Sequence, residues 1–275
     1  MADGALLDRL TTIVSAAAAA ILKVRAGSLD MRTKADLSPV TAADHAAEAV
    51  ILAGLARELP GVAVVSEEAA GHAPPARLPD TFILVDPLDG TREFIAGRDE
   101  FTVNLAIVSG GRPVLGIVAA PALALLWRGA QAGPAERLRL SPGAPASAAR
   151  ERSAIRCRAL PSSGLVAAVS RSHLDARTRA FLARVPLVDE IVSGSALKFC
   201  RVAEGAADLY PRLAPTCEWD VAAGHALLTA AGGVITTPEA APLPYGRIAE
   251  QFRIPAFVAW GDPSAPARLG LKAKA

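Results

Sequence analysis

Apolar positions recur at helical spacing near the start of the chain. Leu6, Leu7, Leu10, Ile13 and Val14 mark one face of a helix over residues 6–24, which an alanine run extends. Residues 26–39 lose this pattern. Gly27, Asp30, Lys34, Asp36 and Ser38 predict a loop or a hairpin that can move. Thr41-Ala42-Ala43-Asp44 then matches a capping box, with Thr41 at the start of a second helix that Pro60-Gly61 ends.

Short apolar runs follow. Residues 62–66 and 81–86 predict buried strands, the first ending in Glu67-Glu68 and the second in a Pro87-Leu88-Asp89-Gly90 turn. Residues 102–109 and 113–120, joined at Gly110-Gly111, predict an antiparallel hairpin. Residues 132–153 are rich in Ala, Pro and Ser and read as a surface connection, with room for a strand at 138–140. Beyond them strands at 165–170, 187–192 and 207–211 alternate with helices. The helices are 175–184, the stretch from Ser193-Gly194-Ser195 through Glu204, and 220–231, which stops at Gly232-Gly233. Such alternation predicts layered α/β structure in two subdomains, 1–150 and 151–275. The tail after Ser264 shows no pattern and is expected to fray.

Composition narrows the classes. The chain has 275 residues, 29 Lys+Arg against 27 Asp+Glu, and 52% hydrophobic residues. It can bury a sizeable core, and it lacks the basic excess of a nucleic-acid binder and the composition of a disordered chain. Three cysteines without a CxxC pair fit a reducing compartment. The opening MADGALLDRL has no signal-peptide charge pattern, and the apolar stretch 13–24 is too short to span a membrane. The reading is a soluble cytoplasmic protein, with peripheral association to an inner membrane left open. Only five basic residues are lysines (Lys23, Lys34, Lys198, Lys272 and Lys274), which base-composition bias explains unless one has a special duty.

The chemistry concentrates at Asp86-Pro87-Leu88-Asp89-Gly90-Thr91. A turn stiffened by Pro87 and opened by Gly90 can bring Asp89 back beside Asp86. Two carboxylates held together repel unless a cation sits between them. Oxygen ligands without a nearby His or Cys favour Mg²⁺ over zinc. The plain alternative is an acidic turn capping a helix at 91–95. Glu67-Glu68 at the neighbouring strand end and Glu218-Trp219-Asp220 at a later helix start add carboxylates to the same edge.

Ser66-Glu67-Glu68, Asp86 to Thr91 and Trp219-Asp220-Val221-Ala222-Ala223-Gly224 together resemble the signatures of the inositol monophosphatase superfamily of magnesium-dependent, lithium-sensitive phosphatases. The finer resemblance is to its 3′(2′),5′-bisphosphate nucleotidase branch. Gly90-Thr91-Arg92-Glu93-Phe94-Ile95, Glu100-Phe101-Thr102-Val103-Asn104, Gly194-Ser195-Ala196-Leu197-Lys198-Phe199-Cys200 and Leu209-Tyr210-Pro211-Arg212 carry it, with Lys34-Ala35-Asp36 and Asp44. The resemblance covers residues 6–233 in order.

It implies an α/β fold of the sugar-phosphatase type with alternating α/β/α/β/α layers and a metal cleft between the subdomains. The N-terminal subdomain would carry most metal ligands, and the C-terminal one the substrate contacts and Asp220. Glu67, Asp86, Asp89, Asp220 and the Leu88 carbonyl would bind two or three Mg²⁺ ions. Thr91 and Asp44 would orient a metal-activated water and take its proton, with Glu67 counted beside them in catalysis. Asp89, Gly90, Thr91, His173, Ser193, Gly194, Ser195, Lys198, Arg212 and Asp220 would contact substrate, and Lys34 to Asp36 would form a lid.

The expected reaction is hydrolysis of the 3′-phosphate of adenosine 3′,5′-bisphosphate to AMP and phosphate, with 3′-phosphoadenylyl sulfate as a further candidate substrate. An inositol or sugar-phosphate phosphatase is the runner-up, and a nucleotide- or metal-sensing homologue the non-enzyme alternative. The expected partner is the small-molecule nucleotide, with neither nucleic acid nor a membrane span, and a homodimer is allowed by the resemblance.

Overall fold

The computed structural model describes residues 4–27, 31–33, 39–70, 75–131 and 133–271, with backbone only at 31–33 and 39–41. The expected lid residues Lys34 and Asp36 and the capping side chain of Thr41 lie outside the described residues.

The chain begins with α1 (Gly4–Arg25), a backbone hairpin of β1 (Met31–Thr33) and β2 (Pro39–Thr41), and α2 (Ala42–Glu58). Then come β3 (Ala63–Ser66), α3 (Glu67–Ala70), β4 (Thr81–Asp89), α4 (Thr91–Ile95), β5 (Thr102–Ser109), β6 (Arg112–Ala120), β7 (Leu125–Ala130), β8 (Ala135–Arg139) and β9 (Glu151–Ile155). The second half holds β10 (Leu165–Ser170), α5 (Ala176–Leu182), β11 (Leu187–Ser193), α6 (Leu197–Ala203), β12 (Leu209–Arg212), β13 (Thr216–Cys217) and α7 (Glu218–Ala230). It closes with β14 (Val234–Thr236), β15 (Arg253–Ile254), β16 (Phe257–Trp260) and α8 (Ala265–Arg268).

Two sheets organise these elements. The first runs β3-β4-β5-β6-β7-β8-β9, with β3 parallel to β4 and every later pair antiparallel. The second runs β11-β10-β12-β16-β14. Alternate residues of β4 explain the layering. Ile83 and Val85 face Leu10, Val14, Ile51 and Leu55 of α1 and α2. Phe82 and Leu84 face a second core, where Phe199 and Val202 of α6 and Ala223 and Leu227 of α7 meet Ala168, Tyr210 and Phe257 of the second sheet. The outer face of that sheet packs Val169, Leu209 and Trp260 against Phe181, Leu182 and Ala265. The order is α/β/α/β/α, and β4 reads as one unbroken apolar run because both its faces are covered.

The amphipathic first helix forms as its spacing predicts. Among the described residues α1 is the one helix long and apolar enough to cross a membrane, and half of that apolar window is buried in the protein. The guanidinium of Arg128 on β7, 3% exposed, bonds Asp8 at 2.6 Å, Thr11 at 3.1 Å and Glu136 at 2.9 Å, pinning α1 to the sheet.

Three sequence expectations need correction. Residues 132–153 are not a plain surface connection, because β8 and β9 extend the first sheet through Ile155. Four of the five β9 residues are exposed, so apolar alternation could not announce it. Asp86 to Asp89 is not a tight turn. It stays in β4 as an irregularity, with Asp86 opposite Asn104 and Asp89 opposite Thr102, so three residues advance against two. The region after Ser264 does not fray at once, since α8 follows and Ala265 and Pro266 are buried.

Close backbone approaches set the layer spacing. A Cβ at Gly116 on β6 would lie 2.2 Å from the Ala223 carbonyl oxygen of α7. Gly116→Ala should therefore destabilise the protein by about 2–3 kcal/mol or more, since neither backbone can retreat without disturbing a core. Urea unfolding should show a lower midpoint, whereas Gly4→Ala, where nothing lies within 4 Å of the added methyl, should leave it within about 0.5 kcal/mol.

Candidate active site

Three elements bring carboxylates to one place. Parallel β3 and β4 end side by side, so Glu67, directly after β3, comes close to Asp86 on β4. The first turn of α7 adds Asp220, whose side chain accepts from the Cys217 N–H at 2.9 Å and from the Thr216 hydroxyl. One oxygen from each of Glu67, Asp86 and Asp220 lies within 4.8 Å of the others.

Asp86 is the constrained member. It is 1% exposed. Its Oδ1 accepts from the Leu88 N–H at 3.1 Å, while its Oδ2 is buried with no hydrogen-bond partner. Burial first, then the charges of Glu67, Asp89, Asp220 and Asp44, push its carboxyl well above the usual range. An orphaned buried oxygen facing two further carboxylates, with no His or Cys in the group, fits a hard divalent cation. Glu67, Asp86 and Asp220 are the residues that would hold it.

Asp89 lies in the same cavity but outside this tight triad. Its Oδ2 accepts from Ser195 Oγ at 2.6 Å. Burial and Asp220 raise its pKa, against Lys198 and the Ser195 bond. Gly90 takes φ +89, and α4 starts behind it with Thr91. The Thr91 hydroxyl faces two acceptors, the Leu88 carbonyl at 3.2 Å and Asp44 Oδ1 at 3.4 Å. Asp44 comes from the first turn of α2 and is buried. Glu68 is buried on α3 and is not part of the triad.

The cavity, which measures about 240 Å³, also holds cationic side chains. Lys198 on α6 is 1% exposed, so it is not the ordinary solvated lysine that sequence alone allowed. Its ammonium donates to the Ser195 carbonyl and sits 5.2 Å from the Tyr210 ring centre. Burial brings its pKa down to about 8. Arg212, at the end of β12, carries a buried Nε without a partner. His173 lies exposed at the rim, where partial desolvation and then Arg212 and Arg92 lower its pKa.

The structure thus brings Glu67, Asp86, Leu88, Asp89, Gly90, Thr91, His173, Ser195, Lys198, Arg212 and Asp220 to one cavity. Asp44 backs it through Thr91. Ser193 and Gly194 do not line it. The Ser193 carbonyl accepts from Arg171 N, and Gly194 N donates to Glu100 Oε2 at 3.1 Å. The expected helix opening at Ser-Gly-Ser is instead a turn. Ser195 adopts φ +53 and α6 begins at Leu197 without a side-chain cap. Sequence reasoning missed Arg92, Glu93 and Ser170, which also line the cavity, and Thr102, whose hydroxyl meets Ser195 Oγ at 2.5 Å. Proximity to Thr91 in sequence was the available signal for Arg92 and Glu93. The motif Glu100 to Asn104 was the available signal for Thr102, and nothing local marked Ser170.

Known proteins with this pattern are plain to find. Residues 6–256 match the sequence model of the inositol monophosphatase family. The 3′(2′),5′-bisphosphate nucleotidase CysQ of Escherichia coli strain K12 is 40% identical over 242 residues, covering 87% of this chain and 94% of that protein. The histidinol-phosphatase of Mycobacterium tuberculosis is 33% identical over 242 residues, covering 82% and 85%. The crystal structure of CysQ from Bacteroides thetaiotaomicron superposes with a TM-score of 0.75 at 33% identity, over 92% of this chain and 96% of that one.

The raised pKa of Asp86 sets a pH dependence. The metal-free fold holds a proton that the unfolded chain releases. Its stability is therefore full below the unfolded carboxylate pKa near ~4 and is lost as pH rises through the raised value. With chelator present, the melting temperature should fall as pH rises above about 4, and a divalent cation such as Mg²⁺ should restore it. Asp86→Asn should flatten the fall and remove most of the Mg²⁺ gain, a shift of roughly 2–4 °C per kcal/mol for a chain of this size. Thermal melts across pH with and without Mg²⁺ measure it.

Proposed function

The chain belongs to the inositol monophosphatase family of metal-dependent phosphatases, and on that premise we propose that it is a Mg²⁺-dependent 3′(2′),5′-bisphosphate nucleotidase. It removes the 3′-phosphate of adenosine 3′,5′-bisphosphate, giving AMP and phosphate, and takes 3′-phosphoadenylyl sulfate as a second substrate. The observation that carries this reading is the mixed charge of one cavity. An all-oxygen carboxylate triad shares it with buried Lys198 and with Arg212, so it offers both a cation site and cationic side chains to a substrate bearing two phosphates. The identity to a nucleotidase over nearly its whole length supports it.

The chemistry follows from charge. A phosphomonoester is anionic and repels an oxygen nucleophile. Two or three Mg²⁺ ions, when bound, neutralise the phosphate oxygens, acidify a water and stabilise the leaving alkoxide. Glu67, Asp86, Asp89, Asp220 and the Leu88 carbonyl would hold them. Thr91 orients the attacking water, and Asp44, within 3.4 Å of its hydroxyl, takes the proton. The water oxygen bonds to phosphorus while the bond to the ribose 3′-oxygen breaks, and that oxygen takes a proton from solvent to leave as the 3′-hydroxyl of AMP. Lys198 and Arg212 hold the second phosphate, with His173 and Ser195 beside them. In this reading the N-terminal subdomain carries most metal ligands and the C-terminal one the substrate contacts, and the enzyme works in the cytoplasm without a nucleic-acid partner.

A second reading rests on the histidinol-phosphatase relative, which shows that close kin act on another phosphomonoester. A phosphate-release panel of adenosine 3′,5′-bisphosphate, its sulfated precursor, inositol 1-phosphate, histidinol phosphate and fructose 1,6-bisphosphate separates the two. The bisphosphate nucleotide should be turned over best, and only with Mg²⁺. Release from no phosphomonoester, by protein that still binds nucleotide, would make it a sensor rather than an enzyme. Asp89→Asn and Asp220→Asn should each lower kcat by about a hundredfold or more with the fold intact by circular dichroism. Lys198→Ala should raise KM for the adenosine bisphosphate by about 10- to 100-fold and leave that for inositol 1-phosphate nearly unchanged.

A further inference from the structure

One wall of the cavity is a carboxylate without a duty in this chemistry. Glu93 sits on α4, two residues past Thr91, and is buried, yet it lines the cavity. Its orientation is held from two sides. Ser172 at the rim donates its hydroxyl hydrogen to Oε1. Gly194 packs on its stem so closely that a Cβ there would lie 3.3 Å from Glu93 Cγ. Among the described residues Oε2 accepts no hydrogen bond and no Lys or Arg forms an ion pair with Glu93, while Lys198, Arg171 and His173 stand near enough to feel its charge. Glu93 also stands apart from the Glu67, Asp86 and Asp220 triad.

A fixed carboxylate in a cavity built for an anionic substrate is unfavourable unless it meets a donor. It repels phosphate. Lys198 and Arg212 already serve the phosphates. What it can take is a neutral hydroxyl or amine on the part of the substrate that carries no phosphate. We propose that Glu93 is a specificity-determining residue. It accepts a hydrogen bond from such a donor on the nucleoside body. The assignment of that body as a nucleoside rests on the bisphosphate nucleotidase reading above. The shared chemistry has two sources, the ribose 2′-hydroxyl and the exocyclic amine of the base.

The test compares kcat/KM for wild type, Glu93→Ala and Glu93→Gln on three substrates. These are adenosine 3′,5′-bisphosphate, its 2′-deoxy analogue, and inosine 3′,5′-bisphosphate, in which the amine is replaced. Wild type should lose about 10- to 100-fold on one analogue, and that analogue identifies the donor. In Glu93→Ala the parent substrate should fall to the analogue's level and the discrimination should vanish, a coupling that a merely structural role would not produce. Glu93→Gln keeps the shape and an oxygen acceptor without the charge, so it should retain partial discrimination. It also serves if the alanine variant fails to fold. Equal losses on all three substrates, with wild type still preferring nucleotides, would overturn the Glu93 proposal alone. A wild-type preference for inositol 1-phosphate would overturn the nucleotidase reading and the proposal with it.

Discussion

Like-charge repulsion at the carboxylate triad is the constraint around which this molecule is organised. Glu67, Asp86 and Asp220 would separate if the backbone let them, and Asp86 has an oxygen that no hydrogen bond satisfies among the described residues. Burying such a group is unfavourable, so rigid neighbours must oppose it. β4 supplies rigidity by packing both faces into separate cores. β3 supplies it by parallel pairing, which aligns Glu67 with the end of β4. α7 contributes Asp220 from its first turn, where the helix dipole and two cap bonds favour the negative charge.

Both signs of charge line the cavity. The carboxylates come from the first sheet and the start of α7, and the cations Lys198 and Arg212 from α6 and β12. Ser195 joins them. Its hydroxyl bonds Asp89, its carbonyl receives the Lys198 ammonium, and its left-handed backbone turns both toward the cavity. A non-glycine residue in that conformation costs of order 1 kcal/mol or more, and the surrounding bonds offset it. Behind the turn, Glu100 accepts from Gly194 N–H and pairs with both nitrogens of Arg171, tying the loop after α4 to the second sheet.

Much of this was legible in the chain. The 3.6-residue spacing of Leu7, Leu10 and Val14 marks α1, and the apolar runs mark β3 to β6 and β10, because each signal depends on neighbours a few positions apart. β9 escaped because four of its five residues are exposed. β16 escaped although Phe257 to Trp260 form a short apolar run between Pro255 and Gly261. The acidic motif named its own residues, but its geometry did not follow from local turn rules. Pro87 sits in a strand irregularity rather than a reversal, since pairing with β5 overrides the turn tendency.

Local periodicity in the sequence marked the alternation of helices and strands, its motifs carried the resemblance to the family, and oxygen-only donors pointed to a hard cation, since all of these are properties of short segments. Only the tertiary structure decided which groups share the cavity. Thr102 lies 93 residues from Ser195, and Glu93 79 residues from Ser172, yet each pair is in hydrogen-bond contact. Burial is likewise a tertiary property. It separates Lys198, enclosed and depressed to a pKa of about 8, from the ordinary surface lysine its local sequence equally permits.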